Sequence, residues 1–144
     1  MAISIIILVI SSALFLYWFR YACVLILRTR DARKYAQQVA EINHLSFVNA
    51  QEQLASTPPM DGTYARLHAA LDRDYRVVSY LLRHAGTHGG HTVEEYLLRL
   101  DFQLMRVCYH VAKPFSAQSA RRALIQQASI ISHLANRMGE RLAL

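Results

Sequence analysis

Residues 2–19 read AISIIILVISSALFLYWF, an uncharged run that ends at Arg20. Coiled as a helix, this run of eighteen residues rises about 27 Å, close to the roughly 30 Å hydrocarbon core of a bilayer. A run so long and so apolar on every face reads as a membrane span rather than an ordinary core helix. A cleaved signal peptide would carry a basic residue ahead of the run and an A-x-A site behind it. Neither is present, so the segment reads as an uncleaved transmembrane anchor.

The residues beyond the span indicate its orientation. Arg20, Arg28, Arg30, Arg33 and Lys34 follow it, against Asp31 alone, and this cluster holds most of the chain's net charge of +6. Basic residues gathered at one end of a span mark the cytoplasmic side, and Arg28, Arg30, Arg33 and Lys34 are expected to form a basic cluster at the membrane surface. A nucleic-acid binder would spread Arg and Lys over a folded face instead. The expected location is the bacterial inner (cytoplasmic) membrane, with the N-terminus outside and the remainder in the cytoplasm. Tyr17, Trp18 and Tyr21 flank Arg20 as an interfacial aromatic belt would.

The apolar character resumes over Tyr21-Ala-Cys-Val-Leu-Ile-Leu27. Sliding the span to include it would bury Arg20 in lipid at a cost of at least about 2.5 kcal/mol. Residues 1–27 are therefore read as the anchor plus a membrane-proximal apolar segment, covered either by tilt or by a neighbouring membrane subunit. Ser4 and Ser11 lie seven residues apart on one helix face, and small polar residues suit helix contacts in lipid. The expected membrane and partner contacts are Ser4, Ser11, Trp18, Arg20, Tyr21, Val24 and Leu27.

The rest of the 144-residue chain reads as helix throughout. The composition, 53% hydrophobic and 18% charged, excludes intrinsic disorder, and two cysteines exclude a disulfide scaffold. The absence of Pro and Gly from Arg20 to Ala55 allows one helix to run out of the membrane over residues 28–55. Pro58, Pro59 and Gly62 then mark a turn. A second helix, residues 63–83, shows Leu67, Leu71, Val78 and Leu82 at helical spacing. Thr92 and Glu95 form the signature of a capping box before a third helix, residues 93–112. There Val93, Leu97, Leu100, Leu104, Val107 and Val111 alternate steps of four and three, a heptad stripe expected to face the core. Cys108, one step from that stripe, is expected to be a buried, inert thiol. Pro114 ends this helix, and Ser116 caps a fourth, residues 117–142, striped with Ala120, Leu124, Gln127, Ile131, Leu134 and Met138. Short connections between long helices favour antiparallel neighbours. The expected fold is thus all-α: a single N-terminal transmembrane helix continuing into an antiparallel cytoplasmic four-helix bundle over residues 28–144.

The chemistry-bearing residues are few. His84, His88 and His91 stand in a Gly-rich loop and form the candidate metal site, with Glu94 or Glu95 as an oxygen ligand. Their spacing matches no standard zinc site, and a solvated polar turn explains the same residues. His44, His68 and His133, on separate helices, are candidate axial ligands for haem. His68, His84 and His110 are candidate phosphoacceptors. The chain lacks the Walker A loop, G-x-G-x-x-G, G-x-S-x-G, H-E-x-x-H and the paired Glu-x-x-His of di-iron bundles.

These readings favour a non-catalytic accessory or scaffolding subunit over an enzyme. Its expected partners are membrane protein subunits of a larger complex, or further copies of itself, and the lipid bilayer. No nucleic acid, small-molecule substrate or cofactor is called for. Tyr35, Tyr80 and Tyr96 are candidate contact anchors. A metal- or haem-binding redox or sensor module using His84 to His91 is the alternative, and a membrane-tethered signalling bundle the second.

Overall fold

The structure is a computed structural model that describes residues 1–29, 35–56, 62–85 and 92–143. Its described elements are six helices: α1 (Ala2–Thr29), α2 (Ala36–Ile42), α3 (Phe47–Ser56), α4 (Thr63–His84), α5 (Val93–Ala112) and α6 (Ala117–Ala143). No strand occurs among the described residues. The chain divides into two units, Met1–Arg30 and Asp31–Leu144.

The first unit is α1. Its stretch Ala2–Leu27 is long and apolar enough to cross a membrane. Residues 1–18 expose every side chain, Ser4 and Ser11 among them. An isolated helix in water would not keep so many large aliphatic groups exposed, so a lipid environment fits this surface. Trp18 meets Tyr17 and Tyr21 edge-on, with ring centroids 6.4 and 6.0 Å apart.

In the second unit α6 is central. It packs against α2, α3, α4 and α5. Thirteen of its 27 residues are buried, which is more than one stripe supplies and marks a helix covered on several sides. The six expected stripe positions from Ala120 to Met138 are all among them. Leu124, Ile130, Ile131 and Leu134 are fully buried, each contributing about 1.5–3 kcal/mol from apolar burial. Gly139 allows a close approach: a Cβ there would collide with the Cβ of Tyr35. The backbone N–H of Tyr35 also donates to Asn136 Oδ1 at 3.2 Å, tying the entry of α2 to the end of α6. The Ser116 cap is made, since the Ser119 N–H donates to its Oγ at 3.3 Å.

Helix α4 buries Leu67, Leu71, Val78 and Leu82, the expected stripe. It meets α5 through side chains whose partners run in opposite chain order. His68 stacks on Tyr109 at 4.3 Å, Asp72 pairs with Arg106 at 3.5 Å, and Tyr75 stacks on Phe102 at 3.9 Å.

Three sequence expectations are corrected here. The helix expected to run unbroken to Ala55 is interrupted at Asn43–Ser46. The Leu45 N–H donates to Ala40 O at 2.9 Å and the His44 N–H to Glu41 O at 3.4 Å, the paired bonds of a Schellman motif. This places His44 in the left-handed region, at φ 52°. Helix α3 then starts afresh. Asp74 of α4 accepts the Ser46 N–H at 2.6 Å and also the Phe47 N–H, while Arg73 donates to Ser46 Oγ at 2.9 Å. A carboxylate from another helix thus caps α3. The capping box at Thr92 is not formed: Thr92 makes no side-chain cap, and Glu95 is buried against Arg141 instead. The third correction concerns the face that α5 buries.

Candidate functional site

Helix α5 turns the expected way round inside out. Its buried residues are Glu95, Leu98, Asp101, Phe102, Met105 and Tyr109. The heptad stripe lies on the other side: Val93, Leu100, Val107 and Val111 are exposed, and Leu97 and Leu104 are half-buried. Both sets repeat at helical spacing, so periodicity alone does not choose between them. Size and charge do. Phe102, Tyr109, Met105 and Leu98 bury more surface than a stripe of Val and Leu. The inner face also carries carboxylates with partners on α6. Glu95 pairs with Arg141, and Asp101 Oδ2 accepts from Gln126 at 3.2 Å.

At the rim of this inner face, Glu94 bridges two residues of α6. Its Oε1 lies 3.0 Å from His133 Nε2, and its Oε2 accepts from Arg137 at 3.0 Å. Arg137 also pairs with Glu140 at 3.6 Å, and Glu140 accepts from Asn136 at 2.9 Å. The start of α5 is thereby clamped to the end of α6. On the other edge Asp72 holds both Arg76 and Arg106.

What remains outward on α5 is apolar and largely uncharged. The stripe is edged by Tyr96, Gln103, Cys108 and His110, all exposed. Cys108 is therefore an exposed thiol rather than the expected buried one. Tyr80 of α4 is exposed as well, while Tyr35 is half-buried against α6. A largely exposed apolar face of this kind is a candidate interaction surface. It is the strongest candidate site among the described residues, and the sequence signal for it was the heptad itself.

A second feature is the polar cluster around His68. Its Nδ1 lies 3.3 Å from Gln127 Oε1, its ring stacks on Tyr109, and His110 meets it edge-on at 5.0 Å. Burial, chiefly, pushes the His68 pKa below the ordinary imidazole value, and the neighbouring His110 and Arg106 act the same way. Gln127 and Asp72 oppose the shift. Burial raises the Tyr109 phenol. A lowered folded pKa means that the folded state binds fewer protons than the unfolded one, so stability rises with pH through the window below 6.5 and levels off above it. Denaturant midpoints of the full chain in detergent should therefore increase from about pH 5 to about pH 7.5. His68→Asn should flatten that slope; an unchanged slope would show that His68 is not its source.

The predicted metal site is not assembled from the described residues. His84 ends α4, where it is exposed, with Nδ1 2.8 Å from the Tyr80 carbonyl oxygen. His88 and His91 lie outside the described residues, as do Arg30, Arg33, Lys34 and the side chain of Arg28. Glu94 and Glu95, the expected oxygen ligands, are engaged by α6. The expected haem ligands do not converge: His44 is exposed in the α2–α3 break, His68 packs on Tyr109, and His133 is held by Glu94. An open cleft of about 450 Å³ between α2, α3 and α6 is lined by Phe47, Val48, Ile125 and the exposed Glu52, among others.

Set against protein-family models, curated proteins and solved structures, the chain matches none.

Proposed function

We propose that this chain is a non-catalytic, single-span accessory or scaffolding subunit of a membrane protein complex. The anchor lies in the bacterial inner membrane with the N-terminus outside, and the helical unit lies in the cytoplasm. The basic residues that follow the span support this orientation. The opposed pairings of α4 with α5, and the contacts of α6 with its four neighbours, support an antiparallel bundle. The complex is held at two places. One is the membrane helix through Ser4, Ser11, Trp18, Arg20, Tyr21, Val24 and Leu27; the other is the cytoplasmic bundle. The lipid bilayer and membrane subunits, or further copies of this chain, are the partners, and no cofactor, nucleic acid or small substrate takes part.

The observation that carries this reading is the inverted α5. Helix α5 turns Glu95 and Asp101 to internal partners and leaves Val93, Leu100, Val107 and Val111 in solvent. Such an arrangement suits a surface meant to be covered by protein. Extraction from native membranes in mild detergent, followed by sizing and identification of co-purifying chains, tests it. A stoichiometric larger complex is expected. A lone monomer, or a species bearing iron or zinc with no other subunit, would overturn the reading.

A further inference from the structure

We infer that the outward face of α5 is the contact between two copies of this chain, paired antiparallel about a two-fold axis at residue 102. The inference rests on the docking reading above and names the occupant of that face. The stripe runs Val93, Leu97, Leu100, Leu104, Val107, Val111, in steps of four, three, four, three and four. Alternation of this kind is the seam of a coiled coil, in which two helices interlock their apolar side chains. The step pattern is also symmetric about residue 102. An antiparallel copy therefore sets Val93 opposite Val111, Leu97 opposite Val107 and Leu100 opposite Leu104. The larger side chains meet in the middle and the valines meet at both ends, so the surface is complementary to itself, as an isologous contact requires.

The edges of the stripe fit the same pairing. At the dyad Gln103 meets Gln103 of the second copy, and a carboxamide both donates and accepts hydrogen bonds. Tyr96 comes beside His110, and Glu94 beside Cys108. The register sets Asp101 level with Asp101 of the second copy, but each is fully buried and accepts from Gln126 of α6, so neither faces the seam. Glu94, Glu95 and Arg106 are engaged by α6 and α4. A membrane-surface helix would instead carry Lys or Arg along the borders of its apolar face. Here the exposed border is Tyr96, Gln103, Cys108 and His110.

The seam is short. From Val93 to Val111 it rises about 27 Å, and one helix offers less than the roughly 800 Å² per partner of a standard stable interface. Two chains anchored in one membrane meet at a high effective concentration, which lets a contact of this size hold. The pairing requires α5 to lie along the membrane, so that its dyad coincides with the membrane normal.

Cysteine cross-linking of the full chain in its membranes tests the inference. Cys23 and Cys108 are first replaced by serine, and Gln103→Cys is then introduced. Mild oxidation should convert most of the chain to a covalent dimer. Leu100→Cys should cross-link at least about tenfold more slowly, because residue 100 of each copy faces residue 104 of the other. Adding Leu100→Lys and Val107→Lys, both at exposed positions, should abolish the Gln103→Cys dimer while leaving the helical circular dichroism unchanged. Fast linkage at Leu100→Cys with none at Gln103→Cys would overturn the antiparallel pairing. Linkage at Gln53→Cys, on the exposed side of α3, as fast as at Gln103→Cys would overturn the specific contact. A monomer at Gln103→Cys, with a stoichiometric complex in the native extract, would overturn the dimer and leave the docking reading standing. A dimer without any other subunit in the extract would do the reverse.

Discussion

Replacing Arg141 with alanine is expected to destabilise the helical unit by about 3 kcal/mol. Arg141 forms a charge-assisted hydrogen bond to Glu95. The Glu95 side chain is 1% exposed, and that of Arg141 19% exposed. Removing one member of such a pair leaves the other charge in a site built for two, and water does not replace the lost partner. Thermal unfolding of the full chain in detergent, followed by far-UV circular dichroism, should show a midpoint lowered by more than roughly 10 °C. The double change Glu95→Leu with Arg141→Leu should recover most of the loss, since apolar residues of similar volume often substitute for a buried ion pair at little cost. A melt of Arg141→Ala that overlays the native one would show that the pair contributes nothing.

The same pair bears on what α5 presents to its surroundings. This helix has two apolar faces, one of Leu98, Phe102, Met105 and Tyr109, the other of Val93, Leu97, Leu100, Leu104, Val107 and Val111. Its polar pairs to α6 decide between them. Rotating α5 to bury the heptad would carry Glu95 and Asp101 away from Arg141 and Gln126. The charges inside therefore help to keep the apolar stripe outside, a use of buried polar groups for specificity rather than for net stability.

How much of this was legible beforehand depends on the kind of signal. The run at residues 2–19 has the length and composition that crossing a membrane requires, so it could be read residue by residue. Helices α4 and α6 each carry one dominant apolar stripe, and those stripes are buried. Helix α5 could not be assigned a face in this way. A heptad marks a surface that wants a partner helix, but does not say whether that partner belongs to the same fold. The break at Asn43–Ser46 had a weaker signal. Asn and His tolerate the left-handed backbone that ends α2, and Ser46 is a natural cap residue. The residue that makes a new helix start there, Asp74, lies 28 positions away in the sequence. Local pattern does not reveal a cap supplied across the fold.

That cap is the basis of the second large effect. Asp74 is fully buried, and its carboxylate receives the first two backbone donors of α3, from Ser46 and Phe47. Arg73 adds a 3.5 Å ion pair and fixes Ser46 Oγ. Burial is the main influence on the Asp74 carboxyl and raises its pKa, while the Ser46 N–H and Arg73 pull the other way. With the folded value raised, the folded state holds the proton more tightly than the unfolded one. The Asp74 share of stability therefore falls as pH climbs from the ordinary carboxylate value through the folded value. Above that window the charge stays buried at a net electrostatic cost, offset by the hydrogen bonds that start α3. Asp74→Ala removes those acceptors and leaves the Ser46 and Phe47 N–H groups without their cap, at about 2 kcal/mol and roughly 10 °C in the melting midpoint. Because the loss is local, hydrogen exchange should show it before the global melt does. The amides of Ser46 and Phe47, and with them the first turn of α3, should exchange faster, while α6 amides around Ile130 and Ile131 keep their order of protection. Unchanged protection at Ser46 and Phe47 would mean that α3 starts without help from Asp74, and that the interruption at residues 43–46 is set by the Asn43–His44 turn alone.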